Sequence, residues 1–293
     1  MEARLAIQPE WHTDGLALLH AGHRRLVELF LLQRPAENAY LLAQVARGAL
    51  DRDDIAGPLI GHWSAGQLAG VCILGSNLVI SEPASHTAIE GFAEYARRLG
   101  VPFWVAVGPD ATIQHFLESY GRDTRQIRLE RGNQVLYGLT REAAPAPGGW
   151  DGLRQAELED VETLVALDRR MVSEEIGFDP FTTVIGAYRQ GWIRRVRERR
   201  AWVIGPVGGS LTFKIDQSAV SRDAVQLAGI YTAPDARRQG IARGGVGAMC
   251  RLLLESTPLV TLYVHGDNTP AVRLYEGLGF QPLALVRSVW FQV

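Results

Sequence analysis

Cysteine is scarce in this 293-residue sequence: Cys72 and Cys250 are the only two. That count excludes a disulfide framework, and two thiols alone cannot build a metal centre. Each lies in an apolar or small-residue run, which predicts a buried free thiol. The seven histidines are dispersed, with no ligand-like spacing to cysteine or carboxylate, so no metal is expected. Net charge is also low, formally −2 with a pI near 6.4. No global basic field would draw the protein to nucleic acid or anionic lipid, and any anion it binds must be held by a local site. No run approaches the roughly 18–20 apolar residues of a bilayer span. Met1 to Glu10 carries charges and Pro9 and lacks the apolar core of a signal peptide. The expectation is a cytoplasmic protein without a membrane or nucleic-acid partner. With 47% hydrophobic and 21% charged residues, it can bury a core.

The clearest compositional break is Arg141-Glu142-Ala143-Ala144-Pro145-Ala146-Pro147-Gly148-Gly149. Its prolines and glycines, without apolar periodicity, read as a linker between domains at 1–142 and 149–293. In the first half, helical spacing appears over Pro35–Leu50, Ala88–Leu99 and Ala111–Tyr120, the last two stopped by Gly100 and Gly121. Strand patterns occupy His62–Leu74, as a hairpin, and then Asn77–Ser81 and Pro102–Gly108. Trp63 and Trp104 read as core residues. In the second half, helices are predicted over Glu157–Met171, Thr182–Arg197, Gly244–Glu255 and Thr269–Leu278, with Ser173–Pro180 as a loop. Strands are predicted over Ala201–Ile204, Leu211–Ile215, Ala224–Thr232, Leu259–Val264 and Leu283–Phe291. Both halves therefore run hairpin, strand, helix, strand, helix. The fold class is α/β with mixed sheets, and the order of elements suggests duplication of one fold.

The chemistry concentrates after the strand ending at Thr232, in Arg237-Arg238-Gln239-Gly240-Ile241-Ala242. Gly240 and the small Ala242 let backbone N–H groups approach an anion, and the following helix adds its positive N-terminal end. Arg237, Arg238 and Arg243 can contribute charge-assisted bonds to phosphate. Gly244, Gly245 and Gly247 each cost about 1 kcal/mol of helix propensity relative to alanine, which calls for close approach of a ligand or a neighbouring strand. A second block, Asn268-Thr269-Pro270-Ala271-Val272-Arg273-Leu274-Tyr275-Glu276-Gly277-Leu278-Gly279-Phe280, follows an apolar strand. Asn268 suits an N-cap, Pro270 a first turn, and Gly279 the helix end.

These two blocks, in this order, resemble the GNAT superfamily of N-acetyltransferases. In that family the Arg/Gln-x-x-Gly-x-Gly/Ala pattern, here Arg237 to Ala242, cradles the acetyl-CoA pyrophosphate. The Asn-x-x-Ala-x-x-Leu-Tyr-x-x-x-Gly-Phe pattern, here Asn268 to Phe280, supplies the second wall. The resemblance covers about Gly149 to Val293. It is nearest to proteins in which a divergent GNAT-like domain precedes the catalytic one, a group that Met171–Pro180 and the element around Lys214 also resemble. It implies two tandem GNAT-like domains, each a mixed, mostly antiparallel sheet flanked by helices, with a splayed central strand pair in the second.

The resemblance further implies that Ile230, Tyr231 and Thr232 present main chain to the pantetheine and thioester, with an N–H near Ile230 as oxyanion donor. Asn268 and Ala271 belong to the cofactor wall. Tyr275 is the expected general acid for the departing thiolate, since a phenol of pKa about 10 is protonated at neutral pH. Val225 to Thr232 holds no carboxylate. The base is therefore open among Glu174, Glu175, Tyr231, His265 and a water chain. The first half lacks a phosphate loop, having Glu82-Pro83-Ala84-Ser85-His86 after its strand, and Glu82 would repel a pyrophosphate. The expected activity is acetyl transfer from acetyl-CoA to a primary amine, on a small molecule or peptide, by direct attack; a homodimer is compatible with the sequence. A non-catalytic CoA-sensing module is the alternative, and a longer acyl chain or another acceptor is a third reading.

Overall fold

A computed structural model of the chain describes residues 14–51, 57–100, 103–144, 152–182 and 184–292. Met1–Glu10, Pro102 and positions 145–149 of the linker lie outside the described residues. Contacts divide the chain into two compact units. The first holds Met1–Leu136, His265–Asp267 and Leu283–Val293; the second holds Tyr137–Val264 and Asn268–Pro282.

The first unit contains β1 (Gly15–Leu18), α1 (Arg24–Leu31), α2 (Ala39–Ala46), β2 (Leu59–Ser64), β3 (Gln67–Leu74), β4 (Asn77–Ile80), α3 (His86–Leu99), β5 (Val105–Pro109) and α4 (Asp110–Tyr120). The long strand β6 (Ile127–Thr140) follows. The second unit runs β7 (Leu153–Gln155), α5 (Val161–Ile176), α6 (Ile185–Arg197), β8 (Ala201–Ile204), β9 (Phe213–Val220), β10 (Val225–Thr232), α7 (Ile241–Leu254), β11 (Leu259–His265) and α8 (Thr269–Glu276), and β12 (Gln281–Phe291) ends the chain. From β1 to β6 and from β7 to β12 the element order is the same.

Pairing repeats as well. In the first unit β1 to β4 form an antiparallel meander, and β4 then pairs parallel with β5 across the α3 crossover. In the second unit β7 to β10 are antiparallel, and β10 pairs parallel with β11 across α7. Mixed sheets of this kind need helices on their faces. In the first unit α3 and α4 cover one core, with Phe92, Phe103 and Phe116 fully enclosed. A second core includes Val27, Leu31 and Leu41 from α1 and α2, together with Trp63; Trp104 is only half-buried. In the second unit α5 and α6 enclose Leu164 and Trp192 against Val203. Cys72 and Cys250 are buried and free, as the sequence predicts. No helix among the described residues is long and apolar enough to cross a membrane.

Several elements differ from expectation. The strands β1, β6 and β7 carry too little alternation to be read from sequence, and their half-buried patterns show why. Helix α5 runs on to Ile176 and stops at the left-handed Gly177, so Glu174 and Glu175 stand on its last turn and not in a loop. Compactness also cuts the chain elsewhere than Arg141–Gly149. Arg141–Ala143 forms a short 3-10 turn, and Leu283–Val293 packs with the first unit. The reason is edge completion: β12 pairs antiparallel with β5 from Val286↔Pro109 to Trp290↔Val105. Phe291 then joins Phe103 and Tyr120 edge-on, and the Arg125 guanidinium lies 5.2 Å from the Phe291 ring centroid.

Candidate active site

In the second unit, parallel pairing between β10 and β11 covers only Val225↔Val260, Gln226↔Thr261 and Leu227↔Leu262. Both strands continue past it, β10 to Thr232 and β11 to His265. This is the splay expected of the central pair. On the other edge of β10 the register with β9 jumps between Ala228↔Asp216 and Tyr231↔Lys214, so that two residues, Gly229 and Ile230, face the single Ile215. That is a β-bulge, a device that re-aims backbone groups. Gly229 adopts φ +59, and a Cβ there would lie 2.1 Å from Asp216 Oδ1, so only glycine fits.

After Thr232 the chain makes a 3-10 turn, Pro234–Ala236, and reaches α7 through two left-handed residues, Arg238 (φ +61) and Gly240 (φ +81). Gly240 is the N-cap of α7, and no side chain caps this helix among the described residues. The first N–H groups of a helix have no partner within it, and here they sit at the positive end of the helix dipole. A Cβ at Gly240 would meet nothing within 4 Å, so the space before the helix is open. Ile241 is buried and anchors the turn, while Arg237 to Gly240 are exposed.

The arginines are partly committed. Arg237 donates through Nε to Thr232 O at 3.1 Å and through Nη2 to Glu174 Oε2 at 2.8 Å, with its guanidinium over the Tyr231 ring. Arg243 donates to Gly277 O at 2.9 Å, and Gln239 to Asp235 O at 3.2 Å. The anion-facing groups of the loop are thus chiefly main-chain amides, together with Arg238. The glycines of α7 separate by cause. A Cβ on Gly245 would lie 2.6 Å from the Phe213 ring, so that glycine serves helix–strand packing, whereas at Gly247 the nearest atoms are an ordinary 3.5 Å away.

Asn268 caps α8, its Oδ1 accepting from Ala271 N at 3.3 Å. Tyr275 is buried, with its ring 5.9 Å from Phe280 and edge-on. Burial pushes its phenol well above the usual range, and the charges of Glu175 and Cys250 act in the same direction. Burial likewise pushes the neighbouring Cys250 thiol up to about 12.

Glu174 accepts from Tyr231 Oη at 2.9 Å, from Arg237 at 2.8 Å and from Arg170 at 3.0 Å. Slight burial pushes its pKa up, but these three donors outweigh it and hold the carboxyl below its ordinary value. Tyr231 is raised by burial and by the carboxylate it bonds. Neither group is poised to take a proton near neutral pH. His265 closes β11 and faces Asp267 at 3.5 Å.

One group escaped the sequence reading. Lys214 on β9 is 1% exposed and forms an ion pair with Asp168 of α5, which also accepts from Tyr188 Oη. Its ammonium donates to Gly229 O at 2.8 Å, directly under the bulge. The available signal was compositional, because Lys214 is the only lysine in the sequence.

Comparisons with known proteins fit this geometry. Residues 200–291, the stretch holding β10, the loop and α8, match the model of the FR47-like protein family. A protein from Drosophila is similar in fold with a TM-score of 0.65 at 15% identity, covering 96% of this chain and 99% of its own. A tandem GNAT protein from the clavulanic acid biosynthesis pathway has a TM-score of 0.52 at 14% identity, with 94% and 98% covered. The chain thus has the fold of a tandem GNAT protein. A GCN5-related N-acetyltransferase from Kribbella flavida is also similar, with a TM-score of 0.51 at 18% identity over 89% and 96% of the two chains. At such identities these solved structures testify to fold. A search of curated proteins found no match. The likeness in fold agrees with the expected fold class, and the bulge, the splay and the uncapped helix are the features of the second unit on which chemistry can be built.

Proposed function

We propose that the second unit binds acetyl-CoA and transfers its acetyl group to a primary amine. The single observation that carries this reading is the open, uncapped N-terminus of α7 beside a bulged strand that its parallel neighbour has left. The amides of Gly240, Ile241 and Ala242 hold the pyrophosphate, as backbone donors at a helix N-terminus do for phosphates. The pantetheine lies along Ile230–Thr232, with Asn268 and Ala271 on the opposite wall. In the reaction the amine nitrogen attacks the thioester carbon, the C–N bond forms, and the carbonyl oxygen takes negative charge against the Ile230 N–H. Collapse breaks the C–S bond and expels the CoA thiolate.

Tyr275 donates the proton to that thiolate. Burial keeps the phenol protonated at neutral pH, so its proton is present for transfer. Glu174 braces Arg237 and Tyr231, and the amine proton leaves through Glu175 or water. In the first unit the corresponding position is closed, and that unit does not take CoA in this mode.

The test is thiol release from acetyl-CoA against a panel of primary amines. Tyr275→Phe should lower kcat by about 10²-fold, the size of a lost general acid, with CoA affinity retained by titration calorimetry. Gly240→Trp should weaken CoA binding at least tenfold, because the residue is left-handed and its side chain enters the open space. Unchanged affinity in the tryptophan variant refutes the loop assignment. Tight CoA binding without turnover on any amine favours a sensing module.

A further inference from the structure

The sequence has 30 lysines and arginines together, and Lys214 is its single lysine, which leaves 29 arginines. A chain that otherwise uses arginine places its one ammonium at 1% exposure. A buried charge persists only where partners compensate it, and here they are specific. Asp168 supplies the counter-charge and Gly229 O an acceptor at 2.8 Å; Met171 Sδ lies at 3.8 Å and the Trp192 ring centroid at 5.3 Å. Asp168 is itself oriented by Tyr188 Oη. On the same side of Gly229 as the ammonium, Asp216 pairs with Arg195 at 3.3 Å.

The consequence follows from peptide geometry. Gly229 C=O and Ile230 N–H belong to one planar trans peptide, so they point in opposite directions. In a regular ladder the β9 backbone would hold that carbonyl, but at the bulge Gly229 and Ile230 share the single opposite residue Ile215. The lysine ammonium donates to the Gly229 carbonyl there. With the carbonyl held by Lys214, the Ile230 N–H points away from the ammonium, in the part of β10 past Leu227 that has no pairing with β11.

We propose that Lys214 is a positioning residue for acyl transfer: by pinning the Gly229 carbonyl, it aims the Ile230 N–H at the thioester oxygen. The inference rests on the acyltransferase reading and assigns a cause to its oxyanion donor. A compact ammonium suits the task, because a guanidinium would need more volume in a fully enclosed site.

Lys214→Met alone would strand Asp168 as a buried unpaired carboxylate and threaten folding, so the informative protein is the double variant Lys214→Met/Asp168→Asn. Thermal melts establish that it folds. Desacetyl-CoA titration and steady-state kinetics are then compared with wild type, and the Ile230 amide is followed by ¹H–¹⁵N spectra and hydrogen exchange. The expected result is CoA affinity within threefold, kcat lower by about 10²-fold, the scale of one misplaced oxyanion donor, and faster exchange with a shifted resonance at Ile230. A merely structural role would lower the melting temperature and leave kcat intact. A folded double variant with kcat within threefold of wild type overturns the proposal. If wild type itself turns over no amine, the acyltransferase reading fails, and the amide decides separately: an unmoved Ile230 resonance with unchanged exchange refutes the pinning.

Discussion

In the first unit, the chain leaving β4 runs directly into the amide of Asn38. Asn38 Oδ1 accepts from Glu82 N at 2.9 Å, while its Nδ2 donates to Glu82 O and, at 2.8 Å, to Leu31 O. A fully buried side chain thus mimics a neighbouring strand for the residues just past the parallel pair. Three residues on, Ser85 caps α3 by accepting from Ala88 N at 3.2 Å. In the second unit, the chain past the paired part of β10 enters the Gly229–Ile230 bulge, and α7 begins at Gly240 with no side-chain cap among the described residues. The element order is the same, but the satisfying groups differ: a neutral amide, Asn38, holds Glu82, and a charged ammonium, Lys214, holds Gly229 O. Buried backbone polar groups must find partners somewhere. The helix ends differ in the same way: a serine hydroxyl caps the N-terminus of α3, and no side chain caps that of α7 among the described residues.

Three perturbations can break or sharpen this contrast. The largest effect is expected at Asn38. Replacing it with alanine removes the partner of Glu82 N–H and of Glu82 C=O at a half-buried place, while Leu31 C=O keeps the Arg34 N–H at 3.2 Å. At about 1–3 kcal/mol for each group left unsatisfied, stability should fall by about 2 kcal/mol or more, read from the urea midpoint. CoA binding should not appear at the first unit; an Asn38→Ala, Gly240→Trp protein that still binds CoA would show that the Asn38 amide alone was what closed that position.

Next come the glycines of α7. Gly245→Ala should destabilise by about 1–3 kcal/mol through overlap with the enclosed Phe213 ring. Gly247→Ala should be neutral or stabilise by up to about 1 kcal/mol. Thermal melts that ranked the two equally would remove the packing explanation for Gly245.

The smallest effects concern two carboxylates of opposite sign. Burial raises the Glu82 pKa, with Glu37 adding to it, against a hydrogen bond from Thr112 and the charge of Arg34. Its contribution to stability is therefore complete below the unfolded value near 4.3 and lost as pH rises through its higher folded value. Glu174 is the reverse: its folded pKa is depressed, so its contribution is present above about 4.3 and lost as pH falls through the folded value. Glu82→Gln should raise the melting temperature at pH 7 relative to wild type, and Glu174→Gln should lower it. Both differences should shrink toward pH 4. Shifts of the same sign at pH 7 would contradict the assigned environments.

Much of this was legible before any coordinates. The apolar runs of β3, β4 and β10 and the glycine stops at Gly100 and Gly121 are local signals. The loop from Arg237 to Ala242 and the block from Asn268 to Phe280 also carry their meaning in consecutive residues. The strands β1, β6 and β7 were not legible, because half-buried edges leave no strong alternation. Helix α5 was read too short because its last turn, Ser173 to Ile176, is polar. The roles of the arginines were legible only as charge; that Arg237 turns to Glu174 and Arg243 to Gly277 depends on which partners the fold brings near.

The sequence by itself determined the class of fold, the repeated order of elements and the loop that leads into α7, since each depends on propensities and spacings within a few neighbouring residues. Only the tertiary structure decided that β12 completes the first unit, that Asn38 seals Glu82, and that Lys214 reaches Gly229. Those outcomes depend on residues far apart in the chain, Lys214 with Asp168 and Asn38 with Glu82. Their meeting is set by packing and by the need to pair every buried charge and backbone group, a condition no stretch of sequence can express alone.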